Sequence, residues 1–355
     1  MEKKKRQTQI SELGEFGLID RLTKSIELKN SSTLQGVGDD AAVMNYGSNC
    51  VVFSTDLLTE GIHFNLMYVP LKHLGYKAVV VNLSDIYAMN ARPRQITVNL
   101  AISGKFTVEA LEELYAGMYL ACDKYGIDLV GGDTTSSLTG LTISVGALGE
   151  AKRENLISRD GAKAGDLLCV TGDLGGAYMG LQLLERENEV FKVNQKMQPK
   201  LEGYNYILAR QLKPEARADI INAFEKLQLK PTSMIDISDG LSSEILHLCK
   251  NSQVGCRLNE ESIPMDDQTK KMAAELSINP LVAALNGGED YELLFTIPAE
   301  EHEKIKNDPD FTVIGRMTEA KVGANLATTG GSLIPLQAQG WKHLTNETNA
   351  KNSQK

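Results

Sequence analysis

Apolar residues recur along this chain in two rhythms, every second position or every third to fourth, and several of the runs end in carboxylates. Residues 50–53 (CVVF) read as a strand that stops at Ser54, Thr55 and Asp56. Pro70 opens a helix with Leu71, Leu74, Ala78 and Val81 on one stripe, which Asp85 continues. Ile96, Val98, Leu100 and Ile102 alternate as a half-buried strand, and Val108, Leu111, Tyr115, Met118, Cys122 and Tyr125 mark a long amphipathic helix. A strand over 127–130 runs into Gly131, Gly132, Asp133, Thr134 and Thr135. Another, over 141–149, closes a first domain. The polar stretch 150–155 is the expected boundary, giving domains over 1–152 and 153–345 and a disordered tail over 346–355.

Upstream, residues 11–22 read as a short helix, and the loop 36–43 (GVGDDAAV) sets two glycines before Asp39 and Asp40. In the second domain, a strand over 167–170 leads into a glycine-rich loop that opens a helix through Leu184; helix packing is the default reading of these glycines, and a phosphate on the free N–H groups is the alternative. Residues 186–217 are charged, contain Pro199 and Pro214, and read as a surface excursion with a short helix over 204–212 and no chemistry. The segment 231–250 (PTSMIDISDGLSSEILHLCK) organises the rest. Met234, Ile235 and Ile237 form a buried strand, and Asp239 or Ser238 caps a helix whose apolar face is Leu241, Ile245 and Leu248. Asp236 and Asp239 thus point into a cleft beyond a strand end, where open α/β sheets bind ligands. Residues 286–292 (NGGEDYE) precede a strand over 293–297, a further strand spans 311–317, and Trp341 is the only tryptophan.

With 355 residues, 42% hydrophobic and 6% aromatic, the chain suits two globular domains with substantial cores. A net charge of −9 excludes a nucleic-acid footprint. The basic start, Lys3 to Arg6, is followed by no apolar signal core, and no run is long enough to span a bilayer, so a cytoplasmic protein without membrane contact is expected. Five cysteines without metal-ligand spacing read as buried thiols in a reducing compartment.

Asp39, Asp40, Asp56, Asp85, Asp133, Asp236 and Asp239 fall in five segments, and seven carboxylates converge only with cations between them. Mg²⁺ prefers such hard oxygen ligands and bridges them to phosphates, so ATP chemistry fits. Neither G-x-x-x-x-G-K-[ST] nor the protein-kinase catalytic set occurs. The competing reading scatters the aspartates as unrelated caps and turns, with Arg92 or Arg94 neutralising Asp85. Spacing alone leaves His63 and Tyr115 as structural residues.

Taken together and in order, GVGDDAAV, STDLLTEGIHF, YKAVVVNLSDIYAMNARP, GGDTTSS, ISRDGAKAGD, IDISDGLSSEI, GGEDYELLF and GWKHL resemble the thiamine-monophosphate kinases over residues 11–345. The resemblance implies a two-domain α/β (α+β) fold of the aminoimidazole ribonucleotide synthetase type. Its N-terminal domain forms a β-barrel across a homodimer interface, and a second α/β domain completes the site. It implies ATP and thiamine monophosphate as substrates, with several Mg²⁺ ions held by Asp39, Thr55, Asp56, Asp85, Asp133, Asp236 and Asp239, adjoined by Asp40 and Ser54. ATP would meet Gly132, Asp133, Arg159, Ser238 and Tyr115, and thiamine phosphate would meet His63, Glu289 and Trp341. Asp133, Asp239 and Arg159 would carry catalysis. The attacking phosphate oxygen is already an anion, so in-line transfer needs positioning and charge neutralisation rather than a base. The rival readings are another ATP-using enzyme of this fold, such as selenophosphate or aminoimidazole ribonucleotide synthetase, and a non-catalytic sensor. Selenophosphate synthetase carries a reactive cysteine near its glycine-rich start, and this chain has none before Cys50.

Overall fold

The computed structural model describes residues 13–26 and 28–338. Helix α1 (Gly14–Thr23) precedes strands β1 (Thr33–Gln35), β2 (Ala42–Asn45) and β3 (Cys50–Thr59). Helix α2 (Leu71–Ala88), β4 (Arg92–Ser103), α3 (Val108–Tyr125), β5 (Asp128–Ser137) and β6 (Leu141–Ala151) complete a six-stranded sheet in the order β1-β2-β3-β6-β4-β5. Its pairs are antiparallel except β4 and β5, which run parallel with α3 as the crossover. Side chains alternate across the sheet: Val52, Val98 and Val145 are buried beneath the helices, while Phe53, Thr55 and Leu57 stand exposed on the other face. Within one chain this sheet is open, and the expected barrel is not closed.

Two expected strand ends are not ends. β3 continues through Ser54, Thr55 and Asp56 to Thr59, and β5 continues through Gly131 to Ser137. Ladder pairing with β6 and β4 holds these polar residues extended, which overrides the breaks that their composition suggests.

The second sheet takes seven strands in the order β13-β12-β9-β11-β7-β10-β8. In chain order its elements are β7 (Leu167–Thr171), α4 (Gly176–Val193), α5 (Asn205–Leu212), α6 (Ala218–Leu227), β8 (Ser233–Asp236), α7 (Leu241–Ser252) and β9 (Val254–Asn259). There follow α8 (Asp267–Glu275), α9 (Pro280–Asn286), β10 (Leu293–Ile297), α10 (His302–Ile305), β11 (Phe311–Glu319), β12 (Ala324–Ala327) and β13 (Leu333–Pro335).

α2 joins the two halves. The expected one-sided stripe is instead buried without interruption from Leu74 to Ser84, because α3 and the first sheet cover one side and β8 and α5 of the second domain cover the other. One apolar core accordingly runs from Val52 and Val98 through Leu83 to Met234, Phe295 and Phe311. Each fully buried Val or Leu on this helix contributes about 1.5–3 kcal/mol. All five cysteines are buried and free. Among the described residues, no helix is long and apolar enough to cross a membrane. The expected tail, 346–355, and Trp341 lie outside the described residues.

Candidate active site

α2 and the strands beside it gather the carboxylates. Ser54 and Asp56 sit on the helix-facing side of β3, and the last turn of α2 brings Asp85 over them, where Ser54 Oγ donates to Asp85 Oδ2 at 2.5 Å. Asn82 Oδ1 accepts the Asp56 N–H at 2.9 Å. From the same helix Ser84 Oγ donates to Asp236 Oδ2 at 2.6 Å, tying the first domain to the end of β8. Between β1 and β2, Asp39 and Asp40 turn inward. The Arg159 guanidinium forks onto Asp40, with Nε 3.1 Å from Oδ2 and Nη2 paired with Oδ1, while the Arg159 backbone N–H donates to Asp39 Oδ2 at 3.2 Å.

Carboxylate oxygens of Asp40, Asp85 and Asp236 lie within 4.8 Å of one another. Arg92 and Arg94, the competing partners for Asp85, are engaged elsewhere, on Glu225 and Glu150. Burial pushes Asp39 up to about 6, with the charge of Asp40 adding to it. Burial likewise raises Asp40 to about 6 against the pull of Arg159, and raises Asp56 to about 6 with help from Asp239. Asp236 rises to about 6 and Asp85 well above the usual carboxylate range, again through burial first and neighbouring aspartates after it. Closely set, buried, oxygen-only donors that repel one another are the chemistry of a divalent-cation site. The residues present fit Mg²⁺.

Asp236 and Asp239 flank a tight junction. Neither Ser238 nor Asp239 caps α7 as expected: Gly240 takes the capping position at φ 115°, and Glu244 reaches back to accept the Asp239 N–H at 2.9 Å. The acidic turn is stitched to the 286–292 loop by Glu289 N–H to Ser238 O at 2.7 Å, Tyr291 N–H to Ile237 O at 2.9 Å and Ile237 N–H to Glu292 O at 2.8 Å. Gly288 is required there, since it sits at φ +69° and a Cβ would lie 2.5 Å from Ser238 O. Glu289 and Tyr291 also hold left-handed backbones, at φ 59° and 51°. Such conformations persist only where the surroundings impose them.

A cavity of about 660 Å³ opens beside Asp56, Asp85, Asp236, Ser238 and Asp239, and on its other walls stand His63, Tyr68, Tyr178 and Glu289. His63 Nδ1 accepts the Thr59 N–H at 3.0 Å, which fixes the ring in the turn after β3. Glu289 is gripped by Lys77 Nζ at 2.8 Å and Gln211 Nε2 at 2.9 Å.

Several of these groups escaped the sequence reading. Lys77 stands two turns before Asp85 on the same helix face, and that spacing was the signal available. Gln211, Arg210 and Arg217 belong to the 186–217 stretch that was assigned no chemistry. Arg210 Nη1 pairs with buried Glu292 at 2.7 Å, and Arg217 Nη1 pairs with the other Glu292 oxygen, so this stretch anchors the 286–292 loop. No local signal marks them, because their partners in the 286–292 loop lie 75 or more residues away.

Three expected groups stand apart. Tyr115 packs on α3 with its ring 5.9 Å from Tyr119, away from the cavity lining. Thr55 is on the exposed face of β3, donating to Val145 O at 3.0 Å. Asp133 and Gly132 lie on the edge strand β5. Asp56, Val145, Val98 and Gly132 occupy one register row, so Gly132 is three strand spacings from Asp56, roughly 14 Å. Asp133, one residue on, faces the opposite, uncovered side. The sheet itself requires Gly132, since a Cβ would lie 1.7 Å from Val98 O.

Residues 38–151 match the family model for AIR synthase related protein, N-terminal domain, and residues 163–325 match AIR synthase related protein, C-terminal domain. The chain is 35% identical over 334 residues to a thiamine-monophosphate kinase of Aquifex aeolicus, covering 94% of this chain and 99% of that one. It is 32% identical to the thiamine-monophosphate kinase of Bacillus subtilis, covering 93% and 99%. A solved structure described as AaThiL complexed with AMPPCP and TMP superposes with a TM-score of 0.80 at 33% identity, over 96% of this chain and 100% of that one.

Proposed function

This chain belongs to the thiamine-monophosphate kinase family, and from that premise we propose how its acidic cleft works: the γ-phosphoryl group of ATP passes in line to the phosphate of thiamine monophosphate, giving thiamine diphosphate and ADP. The observation that carries this reading is the meeting of Asp40, Asp85 and Asp236 within 4.8 Å at the edge of a cavity large enough for a phosphorylated heterocycle. Mg²⁺, when bound, supplies the positive charge that lets phosphates approach these carboxylates.

The chain's own residues do the positioning. Ser54, Asn82 and Ser84 orient Asp85, the Asp56 backbone and Asp236, so the donor oxygens are fixed before substrate arrives. Arg159, already among the aspartates, is placed to take up charge on the leaving diphosphate. His63 and Glu289 face the substrate half of the cavity, with Tyr68 and Tyr178 as apolar walls. Because the acceptor phosphate carries its own nucleophilic oxygen, no general base is required.

Asp133 and Gly132 complete the site of a second copy. Their place on an exposed edge strand, with Asp133 on the face that no helix covers, supports a homodimer in which two open sheets meet. Five buried, free thiols support a reducing compartment, the cytoplasm.

A coupled assay of ADP release tests the activity. Release is expected only when thiamine monophosphate and Mg²⁺ are both present. ADP release indifferent to thiamine monophosphate would sink the proposal.

A further inference from the structure

Among the described residues, nine side-chain polar atoms are buried without a hydrogen-bond partner, and Gln211 is the only one of their owners that lines the cavity beside the carboxylates. Gln211 lies in the last turn of α5 and is 4% exposed. Its amide is fixed on one side only. Nε2 donates to Glu289 Oε2 at 2.9 Å, and the Gln211 backbone carbonyl, not Oε1, accepts from Lys77 Nζ at 3.2 Å, while Lys77 also holds Glu289 Oε1 at 2.8 Å. Turning the amide over does not help, because the oxygen would then confront the Glu289 carboxylate and the NH₂ would lose its acceptor. Oε1 is therefore a buried acceptor in a binding cavity with nothing to accept, and buried polar groups in native proteins have partners.

We infer that Gln211 is a specificity-determining residue whose Oε1 accepts a hydrogen bond from an amino group on the ring of the substrate. The inference rests on the thiamine-monophosphate reading: the pyrimidine of thiamine carries one exocyclic amine, a pure donor, and Gln211 with Glu289 offers adjoining acceptors. Lys77 holds the Glu289 carboxylate and the Gln211 backbone carbonyl, and so fixes where the two side chains meet. An analogue with an oxo group in place of the amine presents an acceptor to an acceptor, leaving Oε1 unmatched. Such sites reject the wrong partner more strongly than apolar pockets do.

The test compares kcat/KM for thiamine monophosphate and for its oxo analogue in the full-length enzyme, in Gln211→Met and in Gln211→Leu. The unmodified enzyme is expected to prefer the amine by about 100-fold, and Gln211→Met to cut the preference below about 10-fold, through KM for thiamine monophosphate with KM for ATP unchanged. Gln211→Leu, which removes the acceptor with a side chain of another shape, should lose the preference in the same way. A purely structural role would lower both substrates equally and leave the ratio alone, and that outcome overturns the inference. So does a preference near one in the unmodified enzyme, or a preference kept in Gln211→Leu. No turnover of thiamine monophosphate by the unmodified enzyme would fall instead on the kinase reading.

Discussion

Arg159 reaches back 119 residues along the chain and holds Asp40 with two guanidinium nitrogens, Nε standing 3.1 Å from Oδ2. The pair is largely out of solvent, with side-chain exposures of 19% and 0%. Lysine keeps the charge but not the planar fork. Arg159→Lys is expected to lower kcat by about 10- to 100-fold while the protein still folds. Steady-state kinetics and a melting curve check this together, and unchanged kcat would remove Arg159 from the chemistry.

Asp239→Asn should reduce turnover by about 100-fold or more, since it removes a charge from the donor set without changing shape. Asp133→Asn should do the same, but from the neighbouring copy. Mixing the two inactive proteins then yields hybrid dimers with one intact site each, and activity is expected to recover to about 25% of normal. If Asp133 served its own chain, every site would carry one defect and nothing would return.

Cation binding should trade with protons. Asp39, Asp40, Asp56 and Asp236 sit at about 6 in the folded chain against an ordinary 3.8. The folded state therefore binds more protons than the unfolded one between those values. The stability these groups give is complete below about pH 4 and is lost as pH rises through 6. Without divalent ions, this contribution falls toward neutrality. Excess Mg²⁺ at pH 7.5 should raise the melting temperature by about 5 °C, and the gain should vanish near pH 4.5, where protons occupy the oxygens. A gain independent of pH would place the cation elsewhere.

Arg210→Met leaves Glu292 and Asp290 buried with less charge opposite them, and Arg217 compensates only for Glu292. A loss of about 3 kcal/mol is expected in urea unfolding. Because Glu292 anchors the 286–292 loop, KM for thiamine monophosphate should rise as well.

Much of this was visible in the residues. The strand Leu293–Ile297 and the aspartates at 236 and 239 stand where the apolar runs and the turn residues beside them place them. Reading failed where polar groups occupy sheet interiors. Ser54 and Asp56 face the helices from mid-strand, so a pattern that equates polar with exposed ends β3 too soon. It failed again at Arg210, Gln211 and Arg217, which look like solvated charge along the chain and are buried only because Glu289 and Glu292 arrive from far downstream. α2 misled in the opposite sense: a stripe describes one neighbour, and this helix has neighbours on every side.

That helix also limits how the molecule can breathe. Prising the halves apart would open their shared apolar core to water and break the contacts of Ser84 with Asp236 and of Lys77 with Glu289, so the cleft cannot gape like a jaw. Away from that helix, the cavity walls are the turn that carries His63 and the α4 residues Tyr178, Leu181 and Glu185, which makes this side the doorway for ligands. Engineers wishing to speed product escape should loosen that doorway and leave the spine alone.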